Sequence, residues 1–128
     1  MSSSRDKESD DEKPPPKRGE IWRVGFDPTV GSEIKKTRPA VVISSDAVGK
    51  LPVRLVAPFT GWQGHFEGNL WHIQVSPTEQ NGLDKESAAD ALQVRSVDTS
   101  RFTEKLGRMH PSRLEEVVTA VALVIEYR

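Results

Sequence analysis

A chain of 128 residues has room for one domain around a single core and is too short for two ordinary ones. Its 35% hydrophobic and 29% charged residues describe a soluble globular protein, and a net charge of −1 excludes one that coats nucleic acid through bulk positive potential. No stretch approaches the roughly 18 consecutive apolar residues of a membrane span, and the absence of cysteine excludes disulfide and thiol chemistry.

Residues 1–17 contain Ser2-Ser3-Ser4, a run of mixed charge and Pro14-Pro15-Pro16, with no apolar side chain other than Met1 and the prolines. Such a segment buries too little surface to offset the entropy of ordering it. It reads as a disordered tail with a stiff polyproline end, followed by one folded domain over residues 18–128. The charged start lacks the apolar core of a secretory signal, which together with the missing cysteine points to the cytoplasm.

Ile21, Trp22, Val24 and Phe26 are β-prone and lead into the turn pair Asp27-Pro28, which predicts a first strand. Ala40-Val41-Val42-Ile43 predicts a buried second strand starting beside Arg38, because Pro39 disfavours helix at the residue before it. Residues 53–57 predict a third strand ended by Pro58, and the alternating stretches 70–75 and 91–97 a fourth and a fifth. Five short strands separated by turn-rich loops indicate a small antiparallel barrel, a mainly β fold with added helix. Residues 99–106 are a predicted short helix, capped by Asp98 or Thr99 and stopped by Gly107. Farther on, Ser112 and Glu115 make a capping box, and Leu114, Val117, Val118, Val121, Val124 and Ile125 recur at helical spacing. That predicts a C-terminal amphipathic helix lying on the sheet.

The loop between the first two strands concentrates groups that suit a phosphodiester: Gly31, Ser32, Glu33, Lys35, Lys36 and Arg38. Composition leaves it open between a binding loop and a solvated turn. Arg38 is fixed at its strand end by the Arg-Pro pair, and its planar fork fits either a phosphate or a surface carboxylate. Thr60, between Pro58-Phe59 and Gly61, presents a hydroxyl at the mouth of a turn. His65, His72 and His110 lie far apart without ligand spacing, and no glycine-rich phosphate loop is present, so neither a metal nor a cofactor is expected. Trp62, beside Gly61 and Gly64, is placed to stack on a base, whereas Trp22 and Trp71 fall in strands and read as core. Asp84-Lys85-Glu86 reads as a solvated turn.

The order of these blocks carries a resemblance. Arg18-Gly19-Glu20-Ile21-Trp22, Asp27-Pro28-Thr29-Val30-Gly31-Ser32-Glu33 and Lys36-Thr37-Arg38-Pro39-Ala40-Val41-Val42-Ile43 resemble the opening of the MazF/PemK-like toxins. The similarity continues through Ala57-Pro58-Phe59-Thr60-Gly61, Gly82-Leu83-Asp84-Lys85-Glu86-Ser87 and Gln93-Val94-Arg95-Ser96-Val97-Asp98, and covers the chain from Lys17 onward. It implies an SH3-like barrel of the CcdB/PemK kind, forming a homodimer that cleaves single-stranded RNA at selected sequences without a metal. Such an mRNA interferase halts translation and is held inactive by a cognate antitoxin whose C-terminal segment occupies the RNA groove. The resemblance makes Arg38 and Thr60 the catalytic residues, has Gly31, Ser32 and Glu33 contact RNA or order the loop, and puts Gln93 near the groove. Lys35 and Lys36 then supply general phosphate attraction. The alternative on the same barrel is a non-catalytic, CcdB-like toxin that blocks a topoisomerase by protein contact.

The residue types suit the implied reaction. RNA supplies its own 2′-hydroxyl nucleophile, so the enzyme must deprotonate it, stabilise the phosphorane and assist the departing 5′-oxygen, leaving a 2′,3′-cyclic phosphate and a 5′-hydroxyl. Arg38 would meet the phosphorane charge, its loss costing on the order of 100-fold in rate, and Thr60 would donate to a phosphate oxygen. Arginine is not the proton donor, because its pKa lies above about 12. The sequence departs from some relatives in two places: Leu92 stands where an acid precedes the glutamine, with Asp90 two residues earlier on the same strand face, and the first loop has no histidine. Glu33 is then the nearest candidate base, and His65 a weaker one.

Overall fold

The computed structural model describes residues 14–127, so the expected tail lies outside the described residues as far as residue 13. Its last residues are held: Pro16 is buried, and its carbonyl accepts from Arg54 Nε at 2.8 Å. Seven strands follow, β1 (Glu20–Gly25), β2 (Thr37–Val42), β3 (Val53–Gly61), β4 (His72–Val75), β5 (Ser87–Asp90), β6 (Arg95–Asp98) and β7 (Phe102–Arg108), then the helix α1 (Pro111–Val124). They form one antiparallel sheet in the order β4-β5-β3-β2-β1-β7, with β6 also on β3. The terminal strands β4 and β7 do not pair, so the sheet curls into a barrel-like shape without closing.

The apolar runs of the first three strands are continuous because both faces are covered. Side chains alternate, so Ile21, Val41, Ala57 and Phe59 enter one cluster under α1 together with Val117. Trp22, Val24, Ala40, Val42 and Val56 enter a second, closed by Phe26, Val97 and Phe102. Full burial of one such Val or Phe side chain contributes about 1.5–3 kcal/mol.

Pro58 does not end the third strand, which runs on to Gly61. Up to Val56 its outer edge pairs with β6 and from Phe59 it pairs with β5, so the residue without an N–H falls at the change of partner. The stretch 91–97 is not one strand: the Asp90 side chain accepts from Leu92 N at 3.0 Å and caps a 3-10 turn, Ala91–Gln93, between β5 and β6. Five expected strands therefore become seven. The helix expected over 99–106 is a single 3-10 turn, Thr99–Arg101, capped as expected by Asp98, and then β7, because pairing with β1 overrides local propensity. Gly107, expected to stop that helix, is a strand residue; a Cβ there would meet the Gln80 carbonyl oxygen at 2.1 Å.

The C-terminal helix forms as its spacing predicts, with Val117 and Ala120 buried. Its cap differs: His110 Nδ1 accepts from Ser112 N at 3.1 Å and Pro111 takes the first turn, so Ser112 lies inside the helix rather than capping it. Among the described residues no helix is long and apolar enough to cross a membrane.

Candidate active site

The loop joining β1 to β2 is tied at both ends and in the middle. At its base Phe26 N donates to the Lys36 carbonyl at 2.9 Å, and Lys36 N donates to Asp27 Oδ1 at 2.9 Å. Lys36 takes a φ of 66°, the left-handed region that few residues other than glycine adopt. Near the tip Glu33 Oε1 accepts from Val30 N at 2.7 Å, closing a local turn. Gln93 reaches in from the turn after β5, its Oε1 accepting from Ile34 N at 3.2 Å and its Nε2 donating to the Ser32 carbonyl at 3.2 Å. Gly31, Ser32, Glu33, Lys35 and Lys36 are left exposed.

Arg38 on β2 and Thr60 on β3 are half-buried and line one cleft of about 270 Å³. Arg38 Nε donates to the Lys35 carbonyl at 3.1 Å, which holds the guanidinium against its own loop. Among the described residues no carboxylate pairs with it. Arg23, which also pairs with Glu104, and Lys36 and Lys85 line the same cleft, where Asp84 supplies the one carboxylate among the described residues. This local excess of cations suits a phosphodiester, although the whole chain carries only −1.

The other sequence-derived candidates divide. Ser32, Glu33 and Gln93 line a separate cleft of about 440 Å³, with Leu92 and Arg95. Glu33 is thus apart from the Arg38 cleft and engaged with its own turn. Gly31, Lys35 and Trp62 line neither cleft. Trp62 is half-buried, edge-on to Phe66 with ring centres 5.6 Å apart, and its backbone N–H donates to the Glu86 carbonyl at 3.0 Å. His65 is exposed and also lines neither cleft.

The departure at Leu92 has a structural counterpart. Leu92 is exposed, while Asp90 turns into the protein and faces His72 Nε2 at 3.4 Å. Burial pushes the Asp90 carboxyl above its usual range, with His72 and the amides of Leu92 and Gln93 pulling the other way. Asp90 lines neither cleft, and the turn after β5 separates it from the face of Leu92.

Asp84 and Lys85, which read from the sequence as a solvated turn, also line the Arg38 cleft. A Cβ on Gly61 would stand 3.5 Å from Lys85 Nζ, so the ammonium lies beside the residue that follows Thr60. The signal was the block Gly82-Leu83-Asp84-Lys85-Glu86-Ser87 itself, in which a buried leucine and a buried serine frame the charged residues.

Residues 17–125 match the model of the PemK-like, MazF-like toxins of type II toxin-antitoxin systems. The chain belongs to this family. Among curated members, Endoribonuclease MazF9 of Mycobacterium tuberculosis is 34% identical over 116 residues, covering 86% of this chain and 96% of that protein. Endoribonuclease MazF of Staphylococcus saprophyticus is 30% identical over 106 residues, 82% of this chain and 87% of its own. The solved MazF of Deinococcus radiodurans superposes with a TM-score of 0.74 at 24% identity, covering 89% of this chain and 99% of that one, which establishes a shared MazF fold.

Proposed function

We propose that this chain is the toxin of a toxin-antitoxin pair, a sequence-selective endoribonuclease that cuts single-stranded mRNA and so inhibits translation. The observation that carries the reading is the meeting of Arg38 and Thr60 in one cation-lined cleft, with Arg38 unpaired by any described carboxylate. RNA brings its own nucleophile, so the reaction needs charge stabilisation and proton transfer rather than a metal, and leaves 2′,3′-cyclic phosphate and 5′-hydroxyl ends. Arg38 meets the charge of the phosphorane, and Thr60 donates to one of its oxygens.

Lys36 adds attraction for the backbone in the same cleft, while Gly31, Ser32 and Lys35 on the exposed loop, with Gln93 behind it, shape the neighbouring RNA path. Trp62 offers an aromatic face for a splayed base. Glu33 orders the loop through Val30, a role that suits its position better than that of base. The enzyme works in the cytoplasm as a homodimer and is silenced by a cognate antitoxin; solved relatives include MazE-MazF from Deinococcus radiodurans and a mycobacterial endoribonuclease with its cognate antitoxin. The CcdB-like alternative has less support, since both curated relatives above are named endoribonucleases.

The test is single-turnover cleavage of a long single-stranded transcript by Arg38→Ala and Thr60→Ala. Loss of a positioned oxyanion donor lowers the rate by about 100-fold or more, so Arg38→Ala is expected to fall by at least that much with its fold intact. Wild-type rates in both variants contradict the assignment.

A further inference from the structure

The turn leading into β5 is held more firmly than a solvated turn requires. Asn81 is buried, accepts from Thr78 N at 2.9 Å and Leu83 N at 3.0 Å, and donates to the Ser76 carbonyl at 2.9 Å. Gly82 sits at a φ of 68° with the Leu106 carbonyl oxygen 2.1 Å from where a Cβ would stand. At the far end the buried Ser87 donates through Oγ to the Lys85 carbonyl at 2.9 Å. Between these anchors three charged residues are exposed. The carboxylate of Glu86 is occupied by Gln74 Nε2 at 2.9 Å and Ser76 Oγ at 2.7 Å. Asp84 and Lys85 line the Arg38 cleft, and among the described residues neither has an ion-pair partner.

Resting on the ribonuclease reading above, we infer that Asp84 is the general base and Lys85 the general acid of this site. The Asp84 carboxylate takes the proton of the 2′-hydroxyl as the O2′–P bond forms. The P–O5′ bond breaks with its electron pair passing to O5′, which takes a proton from the Lys85 ammonium. The proton gained by Asp84 and the one lost by Lys85 are equalised through solvent, so turnover consumes none. Arg38 keeps its proton throughout and meets the phosphorane charge. Glu33 lines the other cleft and its Oε1 already accepts from Val30 N, which leaves Asp84 as the described carboxylate lining the Arg38 cleft.

The full-length protein is tested on a long single-stranded transcript with Arg38→Ala, Asp84→Asn, Lys85→Ala and Lys85→Arg, with thermal midpoints recorded for each. General acid or base catalysis contributes about 100- to 10,000-fold, so Asp84→Asn and Lys85→Ala are each expected to lose that much rate at wild-type thermal stability. Lys85→Arg keeps the charge but not the transferable proton, and stays slow. An RNA with sulfur in place of the 5′-bridging oxygen at the mapped cut site needs no proton on its leaving group. It restores Lys85→Ala and does not restore Asp84→Asn. Full activity in Asp84→Asn, or recovery of activity in Lys85→Arg, overturns the inference while an inactive Arg38→Ala leaves the ribonuclease reading standing. Intact RNA with the wild-type protein removes both.

Discussion

The side-chain amide of Gln93 donates to the carbonyl of Ser32 at 3.2 Å, joining the turn after β5 to a loop 61 positions earlier in the chain. The same side chain accepts from Ile34 N, so one residue fixes the middle of the loop. Replacing it with alanine removes two neutral hydrogen bonds, each worth about 0.5–1.5 kcal/mol. Gln93→Ala is expected to raise KM for RNA several-fold with little change in kcat, and to speed amide exchange at Ile34. Unchanged exchange at Ile34 means that the loop is held by something else.

Among the described residues the buried Arg54 has no ion-pair partner, and its donors go to four backbone carbonyls, those of Pro16, Gly49, Leu51 and Val53. An apolar replacement leaves those carbonyls without a donor. Hydrogen bonds to a charged group are worth about 1.5–3 kcal/mol each, so Arg54→Met is expected to cost at least about 2 kcal/mol, read as a lower denaturant midpoint. Cleavage per folded molecule is expected to be unchanged, since Arg54 lies away from the Arg38 cleft.

Glu20 makes stability depend on pH in a predictable direction. Burial raises its carboxyl, but hydrogen bonds from Lys17 N, Trp22 Nε1 and Lys105, with the Lys105 charge, outweigh that and hold it below the usual 4.5. A depressed folded value means that the stabilisation is fully present above 4.5 and is lost as pH falls through the lower folded value. Glu20→Gln is expected to melt below wild type at pH 7, with the gap narrowing below about pH 4. A gap that stays constant with pH rules out this linkage.

Gly82 tests the rigidity of the turn that carries Asp84 and Lys85. A methyl group there meets the Leu106 carbonyl oxygen at 2.1 Å and faces a φ of 68° as well. Left-handed strain alone costs on the order of 1–3 kcal/mol. Gly82→Ala is therefore expected to lower the melting temperature and the cleavage rate together, whereas Gly68→Ala, with open space around its Cβ position, carries the backbone strain without the clash. Equal melting temperatures for the two variants contradict the close packing of Gly82 on β7.

Much of the fold was legible because burial is periodic. The first three strands and the helix α1 could be read from runs of β-branched residues and from helical spacing. The misreadings have local causes. Residues 99–106 have no strong signal of their own, and they become a turn and a strand because β1 offers them an edge. Asp90 breaks an apparently regular strand by capping its own turn, which no alternation pattern reveals. Residue pattern puts Arg38 and Thr60 at strand ends and leaves their roles open; the family resemblance singles them out, and both line one cleft. Sequence position favours Glu33 and leaves Asp84 in a solvated turn, because which cleft a carboxylate lines is set by how each loop lies over the sheet.

Arg38 and its cleft are proposed to carry out metal-free RNA cleavage. The direct measurement is to incubate the purified protein with a long single-stranded RNA in excess EDTA and to map the ends of the fragments. Cuts are expected at a limited set of sequences, bearing 2′,3′-cyclic phosphate and 5′-hydroxyl ends, and are expected to disappear with Arg38→Ala. RNA left intact across a wide excess of protein, or the same cuts persisting in the Arg38→Ala variant, contradicts the proposal.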